Sequence, residues 1–390
     1  VAPLADYFNL SQIKLIITRA NAVPHLPTLF YAVTMNQEQQ LFTPEYLTGK
    51  RQVADAQVDA FIKQTFSDPA AKHALREYLA QLNNNHQLKQ LPLAYANQSV
   101  FVNAQQLPAW ANTKQMEQGS AFFARYANLI MNMLGLLSLP YCYAAADGAR
   151  VLYLSERIRN DTAKRLQETG DFVWEVMAPN AFTPEGKGFA SVLKVRLIHA
   201  AARYYTLQSG RWDTAQWGLP VNQEDMAGTN LSFSLLVIRG LRKLDIAVSY
   251  AEQQAFMHLW NVIGYLSGVE ECLLPDDGKQ AIALEQAISA HQMKPSTEGQ
   301  ALAKALVDYF TSLNLQPPFG SKETVQLMRF LLGNDVADIL ALPVGNAPKT
   351  IINLLKLSGT LQQFKLQASA NTAYQEQYSS FRKQQQAISN

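Results

Sequence analysis

Residues 190–206, ASVLKVRLIHAAARYYT, constrain this chain more than any other stretch. They contain no Gly or Pro and read as one helix. Val192, Leu193, Val195, Leu197, Ile198 and the alanines 200–202 spread apolar side chains around most of its circumference. A helix that is apolar nearly all round belongs in a protein interior. Yet Arg196, His199 and Arg203 stand at i, i+3 and i+7 and share one stripe. Two guanidiniums flanking a buried imidazole need something anionic to face.

Those cations and the burial both disfavour a further charge, so His199 is expected to stay neutral. Two readings are open. In one, His199 is a hydrogen-bonded core residue and the arginines pair with Asp or Glu elsewhere. In the other, the neutral imidazole is an axial ligand to the iron of haem, and the arginines face the propionates.

The remainder of the chain sets the frame. Its 390 residues carry 48% hydrophobic and only 16% charged side chains, which suits a compact, largely buried fold rather than a disordered one. The net charge is +2 with no basic block, so nucleic acid is not an expected partner. Cys142 and Cys272 are too few for a cysteine zinc site and are expected to be two buried thiols. The opening VAPLADYFNLSQ lacks a basic stretch before an apolar core, so no signal peptide is expected, although a chain beginning at Val can be a processed or truncated form. The most apolar window, 127–141, is interrupted by Asn128, Asn132, Ser138 and Pro140. It is too short for a bilayer span and reads as a buried helix, with membrane-surface contact as the lesser reading. The expectation is a soluble chain whose compartment, cytoplasmic or secreted after processing, is left open.

Period-two alternation is rare and helical spacing recurs, which gives an all-α fold. Two mixed-charge surface helices are expected at 55–67 and 69–82, a loop-dominated passage at 87–114, and the apolar helix at 119–138. A turn is expected at 140–148. Asn160 or Asp161 caps a helix at 162–177. Asn222 caps a helix running to about Leu244, and Ser249 with Glu252 forms a capping box that opens a helix at 250–271. Further helices fall at 278–291, 297–313 and 322–332, followed by an apolar passage at 336–357. The polar tail 362–390 is expected to pack late or fray. The whole, 1–390, reads as a single helical domain with peripheral helices at both ends.

No Gly-rich phosphate loop, HExxH or GxSxG motif occurs. Of the six histidines, His25, His73, His86, His199, His258 and His291, only His199 and His258 lie in apolar helices. For His258 the expectation is a packed, hydrogen-bonded core residue, and a second axial ligand is the alternative. Arg165, Glu168 and Thr169 run directly into a stripe with Phe172 and Val176. They are a surface ion pair or a semi-buried catalytic group in which a carboxylate opposite a metal centre serves as base or relay. Gly228, Thr229, Ser232 and Ser234 are small for a helix interior, which points to close approach of another helix or of a flat ligand and makes Thr229 a cofactor-binding candidate.

Three blocks carry a family resemblance: KRLQETGDFV at 164–173, KVRLIHAAARYY at 194–205 and WGLPVNQEDMAGTNLSFS at 217–234. In this order the chain resembles the oxygenase family of latex-clearing protein and the fungal mycophenolic-acid-pathway oxygenase MpaB, over roughly 119–271. The resemblance implies a globin-like helical core holding haem b. It implies His199 as the proximal iron ligand, Arg196 and Arg203 near the haem, and Arg165 and Thr169 on the distal side. The rubber-cleaving members carry a lysine where this chain has Glu168, so Glu168 looks like the MpaB-type branch. The implied reaction is O₂-dependent cleavage of a carbon–carbon double bond in an apolar, isoprenoid-like substrate. Other expectations to weigh are a haem enzyme of different oxidative chemistry, such as hydroxylation or peroxidation, a haem sensor or carrier without turnover, and a helical interaction protein with no cofactor.

Overall fold

The computed structural model describes residues 41–155, 161–313, 320–364 and 369–389. The opening residues, His25 and the alternative cap Asn160 lie outside them. Among the described residues there is no strand, and they form a single helical domain.

The first helices are α1 (Pro44–Arg51), α2 (Ala56–Phe66) and α3 (Pro69–Gln81). Each of α1 and α3 starts with Pro behind a side-chain cap, Thr43 and Asp68 respectively. The centre of the fold is α4 (Thr113–Met133), which buries Phe122, Phe123, Tyr126, Ile130 and Met133. It runs through a π-helical turn, Leu134–Ser138, into α5 (Leu139–Ala144). The turn expected at 140–148 falls at Ala145, extended at ψ 95°, rather than at Pro140. Pro140 stands in the first turn after the π stretch, where the ladder is already interrupted and its missing N–H costs little. Thr113–Ala144 is long and apolar enough to cross a membrane, but most of it is buried in the fold.

After α6 (Ala146–Leu154) come α7 (Thr162–Met177) and α8 (Gly188–Gln208). Asp161 caps α7 by accepting from the Lys164 N–H at 3.3 Å. The helix expected to run to Leu244 is two, α9 (Gln223–Phe233) and α10 (Leu235–Lys243), broken at Ser234, whose ψ of −78° leaves the helical ladder. Then follow α11 (Tyr250–Leu266), with the Ser249–Glu252 capping box intact, α12 (Gly278–Gln292), α13 (Thr297–Ser312), α14 (Ser321–Leu332), α15 (Lys349–Phe364) and α16 (Ala370–Ser389).

The central helix α4 packs against α7, α10, α11, α15 and α16. Its crossing with α11 is close enough to require Gly119, where a Cβ would sit 2.5 Å from the Ala255 carbonyl oxygen.

The helix α2 exposes Gln57, Lys63 and Gln64 on one face, while Val58, Phe61 and Ile62 are buried on the other and it lies along α8. Of the two fates expected for the polar tail, it packs. Tyr374, Tyr378 and Phe381 of α16 surround the buried Trp174, and the Tyr374 hydroxyl donates to the Trp174 carbonyl at 2.7 Å. Both cysteines are free thiols, but Cys272 is exposed rather than buried.

Candidate active site

The arginine stripe of α8 finds its anions in the protein. Arg196 donates Nε to Asp55 Oδ2 at 2.6 Å and Nη2 to Oδ1 at 3.1 Å. Arg203 donates Nε to Asp59 Oδ1 at 2.6 Å and Nη1 to the Val221 carbonyl at 3.0 Å. The two carboxylates are one turn apart on α2, which packs along α8, so a pair of ion pairs ties the helices together. Of the two readings of the stripe, the pairing of its arginines with carboxylates elsewhere in the chain is present, at Asp55 and Asp59. One group is left over, since Arg203 Nη2 is buried without a hydrogen-bond partner.

His199 sits between those arginines and is treated differently. Its Nδ1 is buried and makes no hydrogen bond. The ring lies deep in the protein, and its basicity is pushed down to about 4 by burial first, then by Arg203 and Arg165, with Asp55 opposing them. The imidazole is thus neutral at pH 7. The residue nevertheless keeps some accessible surface.

Arg165, which bears on His199, comes from α7. Its Nη1 lies 3.4 Å from Glu168 Oε2, one turn on, and the pair is about a third exposed. Thr169 Oγ1 donates to the Arg165 carbonyl at 2.9 Å and so holds this turn. The α7–α8 contact therefore brings Arg165 within electrostatic reach of His199. Arg165 also bears on the buried Tyr143 of α5, which in turn neighbours Cys142.

Beyond that lies Thr229. Its Oγ1 donates to the Asp225 carbonyl at 2.8 Å, and its side chain bonds the Cys142 thiol, which is 3.0 Å from Ser232 Oγ. Burial pushes that thiol's pKa up. The small residues of α9 serve a helix contact as well, because Gly228 lies against Ile288 of α12. The contacts of Thr229 tie it to Asp225 and Cys142 rather than directly to His199.

Asp55 and Asp59 were missed by the sequence reading. The available signal was DAQVD, two aspartates one helical turn apart, in a helix read as a mixed-charge surface. His258 is placed as expected: its Nε2 accepts from the Asn112 N–H at 2.8 Å and its ring meets Trp110 edge-on.

Residues 113–361 match the family described as ER-bound oxygenase mpaB/B'/rubber oxygenase, catalytic domain, and the chain belongs to that family. It is 25% identical over 304 residues to the rubber oxygenase of Streptomyces sp. (strain K30), covering 77% of this chain and 72% of that protein. Its fold matches that of latex clearing protein LCP in the closed state, with a TM-score of 0.70 and 21% identity over 84% of this chain and 90% of the other. Asp55 and Asp59 precede the matched residues.

Proposed function

We propose that this chain is a haem b-dependent oxygenase that uses O₂ to cleave a carbon–carbon double bond of an apolar, isoprenoid-like substrate. The observation that carries this reading is His199: a neutral imidazole, deep in the fold, with its Nδ1 left without a partner. Buried polar atoms are normally satisfied, so the vacancy argues for a group from outside the chain. Among the described residues no set of three or more His, Cys, Asp or Glu is placed to hold a bare metal ion. A porphyrin supplies four nitrogens itself and asks the protein for one imidazole. Arg203 Nη2, the one open donor of the arginine stripe, suits a propionate oxygen.

When bound, haem supplies the activation of O₂. The chain's own residues orient the alkene, exclude water and manage a proton. The overall change needs no external electrons: one alkene and one O₂ give two carbonyl ends, with the C=C bond broken and one oxygen atom in each product. Glu168 would hold an allylic proton on its carboxylate during that change, and Arg165, 3.4 Å away, would orient the carboxylate. Thr169 fixes their spacing through the Arg165 carbonyl. The kinship with a rubber oxygenase supports a polyisoprenoid as the substrate class.

The test is to purify the protein, record its Soret band, and incubate it with polyisoprenoid or farnesylated compounds under O₂ while following aldehyde or ketone ends by mass. Carbonyl-ended products are expected, and Glu168→Ala should lower turnover by about 10²- to 10⁴-fold with the Soret band unchanged. Full activity in Glu168→Ala would remove Glu168 from the mechanism. A colourless, inactive wild type would refute the haem reading.

A further inference from the structure

We propose that Asp55 is a positioning residue for the iron site: a caged, buried anion that sets how readily iron bound at His199 accepts an electron. The inference rests on the haem reading above. Asp55 is held against α8 by Arg196, one turn before His199 on that helix, and its charge opposes those of Arg203 and Arg165 at the imidazole.

Its surroundings are built to keep it there. Asp55 opens α2 but spends neither oxygen on capping it. Both oxygens go to Arg196, in a two-pronged pair whose side chains are 6% and 15% exposed. The backbone closes over the pair at Gly268, whose φ of +97° favours glycine and where a Cβ would lie 2.4 Å from Asp55 Oδ2 and 3.2 Å from Arg196 Nε. That turn is itself pinned, since Gln223 Nε2 donates to the Gly268 carbonyl at 2.9 Å and to the Ala54 carbonyl at 3.1 Å, on either side of the pair. An ion pair serving only to join two helices needs no such enclosure. Asp59 shows the contrast: it meets Arg203 with one oxygen and is 32% exposed. Water screens Asp59 and reaches Asp55 hardly at all, so at comparable range the field of Asp55 is the stronger.

The physical consequence is one of sign. Ferric haem carries one more positive charge than ferrous haem, so a buried anion beside the axial ligand favours the ferric state. Removing it makes reduction easier. Arg196 is the compensating charge of the Asp55–Arg196 pair, so deleting both charges should move the balance by less than deleting the carboxylate alone.

The experiment is a potentiometric titration of the haem-loaded protein followed at the Soret band. At the potential where the wild type is half reduced, Asp55→Asn should be at least about tenfold more ferrous than ferric, a positive shift of about 59 mV for one electron. Asp55→Glu should return close to the wild-type midpoint, and Asp59→Asn should shift less than Asp55→Asn. Asp55→Asn leaves Arg196 buried and unpaired and can fail to fold. The double variant Asp55→Asn/Arg196→Gln leaves no lone buried charge and is expected to shift positive by a smaller amount. A folded, haem-loaded double variant with the wild-type midpoint overturns the proposal, as does a larger shift from Asp59→Asn than from Asp55→Asn. If the wild type itself binds no haem, the parent reading fails and this one falls with it; a loaded wild type with unmoved variants refutes Asp55 alone.

Discussion

His199 of α8 and His258 of α11 are alike in sequence. Each is a lone histidine in a largely apolar helix, and burial depresses the basicity of both. Their surroundings diverge. His258 Nε2 accepts a backbone N–H from Asn112, the residue that caps α4, and its ring meets Trp110 edge-on at the wall of a cavity of about 310 Å³. His199 has two cations bearing on it and a buried ring nitrogen with nothing to bond. The first histidine is finished by its own chain; the second is not. A buried nitrogen without a partner costs roughly 1–3 kcal/mol, and a fold keeps such a cost where something from outside the chain offsets it. The comparison teaches that two histidines alike in their apolar setting can differ in their hydrogen-bond inventory, which the folded structure alone exposes.

The sharpest way to break the comparison is to remove each imidazole in turn. His199→Ala should lose the Soret band altogether, and imidazole added to solution should restore part of it by occupying the vacated volume. His258→Ala should keep haem in the wild-type ratio. The pyridine haemochrome content of the two purified variants decides the matter. Equal haem in both would sink His199 as the ligand.

What the sequence exposes and what it hides follow from range. The bounds of α7, the body of α8, and the caps at Asp161, Asn222 and Ser249 rest on contacts within one or two turns, and all were legible. The anions of the arginine stripe were not. Asp55 and Asp59 lie more than 140 positions from Arg196 and Arg203 in the chain, and nothing local in either helix announces the other. The C-terminal helix was hidden by composition. Its Gln and Ser content suggests a solvated tail, while Tyr374, Tyr378 and Phe381, at i, i+4 and i+7, form the stripe that clasps Trp174 some 200 residues earlier. Pro140 misleads for a different reason: a proline ends an ordinary α-helix, but here a π turn precedes it. Of the candidate site, His199, Arg165 and Glu168 could be picked out from pattern alone. What Arg196 and Arg203 face could be seen only in three dimensions.

A smaller effect sharpens the contrast through pH. In the unfolded chain a histidine takes up a proton near pH 6.5, whereas folded His199 resists until about 4. The unfolded state therefore binds more protons in that window, and the stability contributed by keeping His199 neutral, fully present above pH 6.5, is lost as the pH falls towards 4. For a separation of about 2.5 units the loss is on the order of 3 kcal/mol. It can be isolated by urea unfolding of the haem-free protein at several pH values, wild type against His199→Gln, which removes this titration and leaves every other group in place. The stability difference between the two should shrink as the pH drops from 7 to 4. A difference that stays flat would mean that the imidazole is not held neutral by its surroundings.

The smallest expected effect belongs to His258. His258→Ala takes away the acceptor for the Asn112 N–H and one edge of the Trp110 contact, while the Asn112 side chain still caps α4 by accepting from the Gln115 N–H at 3.1 Å. Because that N–H lies near solvent, water can replace part of the lost bond, and the cost should be about 1 kcal/mol, read as a lower urea midpoint at unchanged m-value. His258→Gln, which offers an acceptor at similar reach, should recover some of it. The comparison would be inverted if His258→Ala shed haem at unchanged stability, since that would make the completed histidine the functional one and the unpartnered one merely structural.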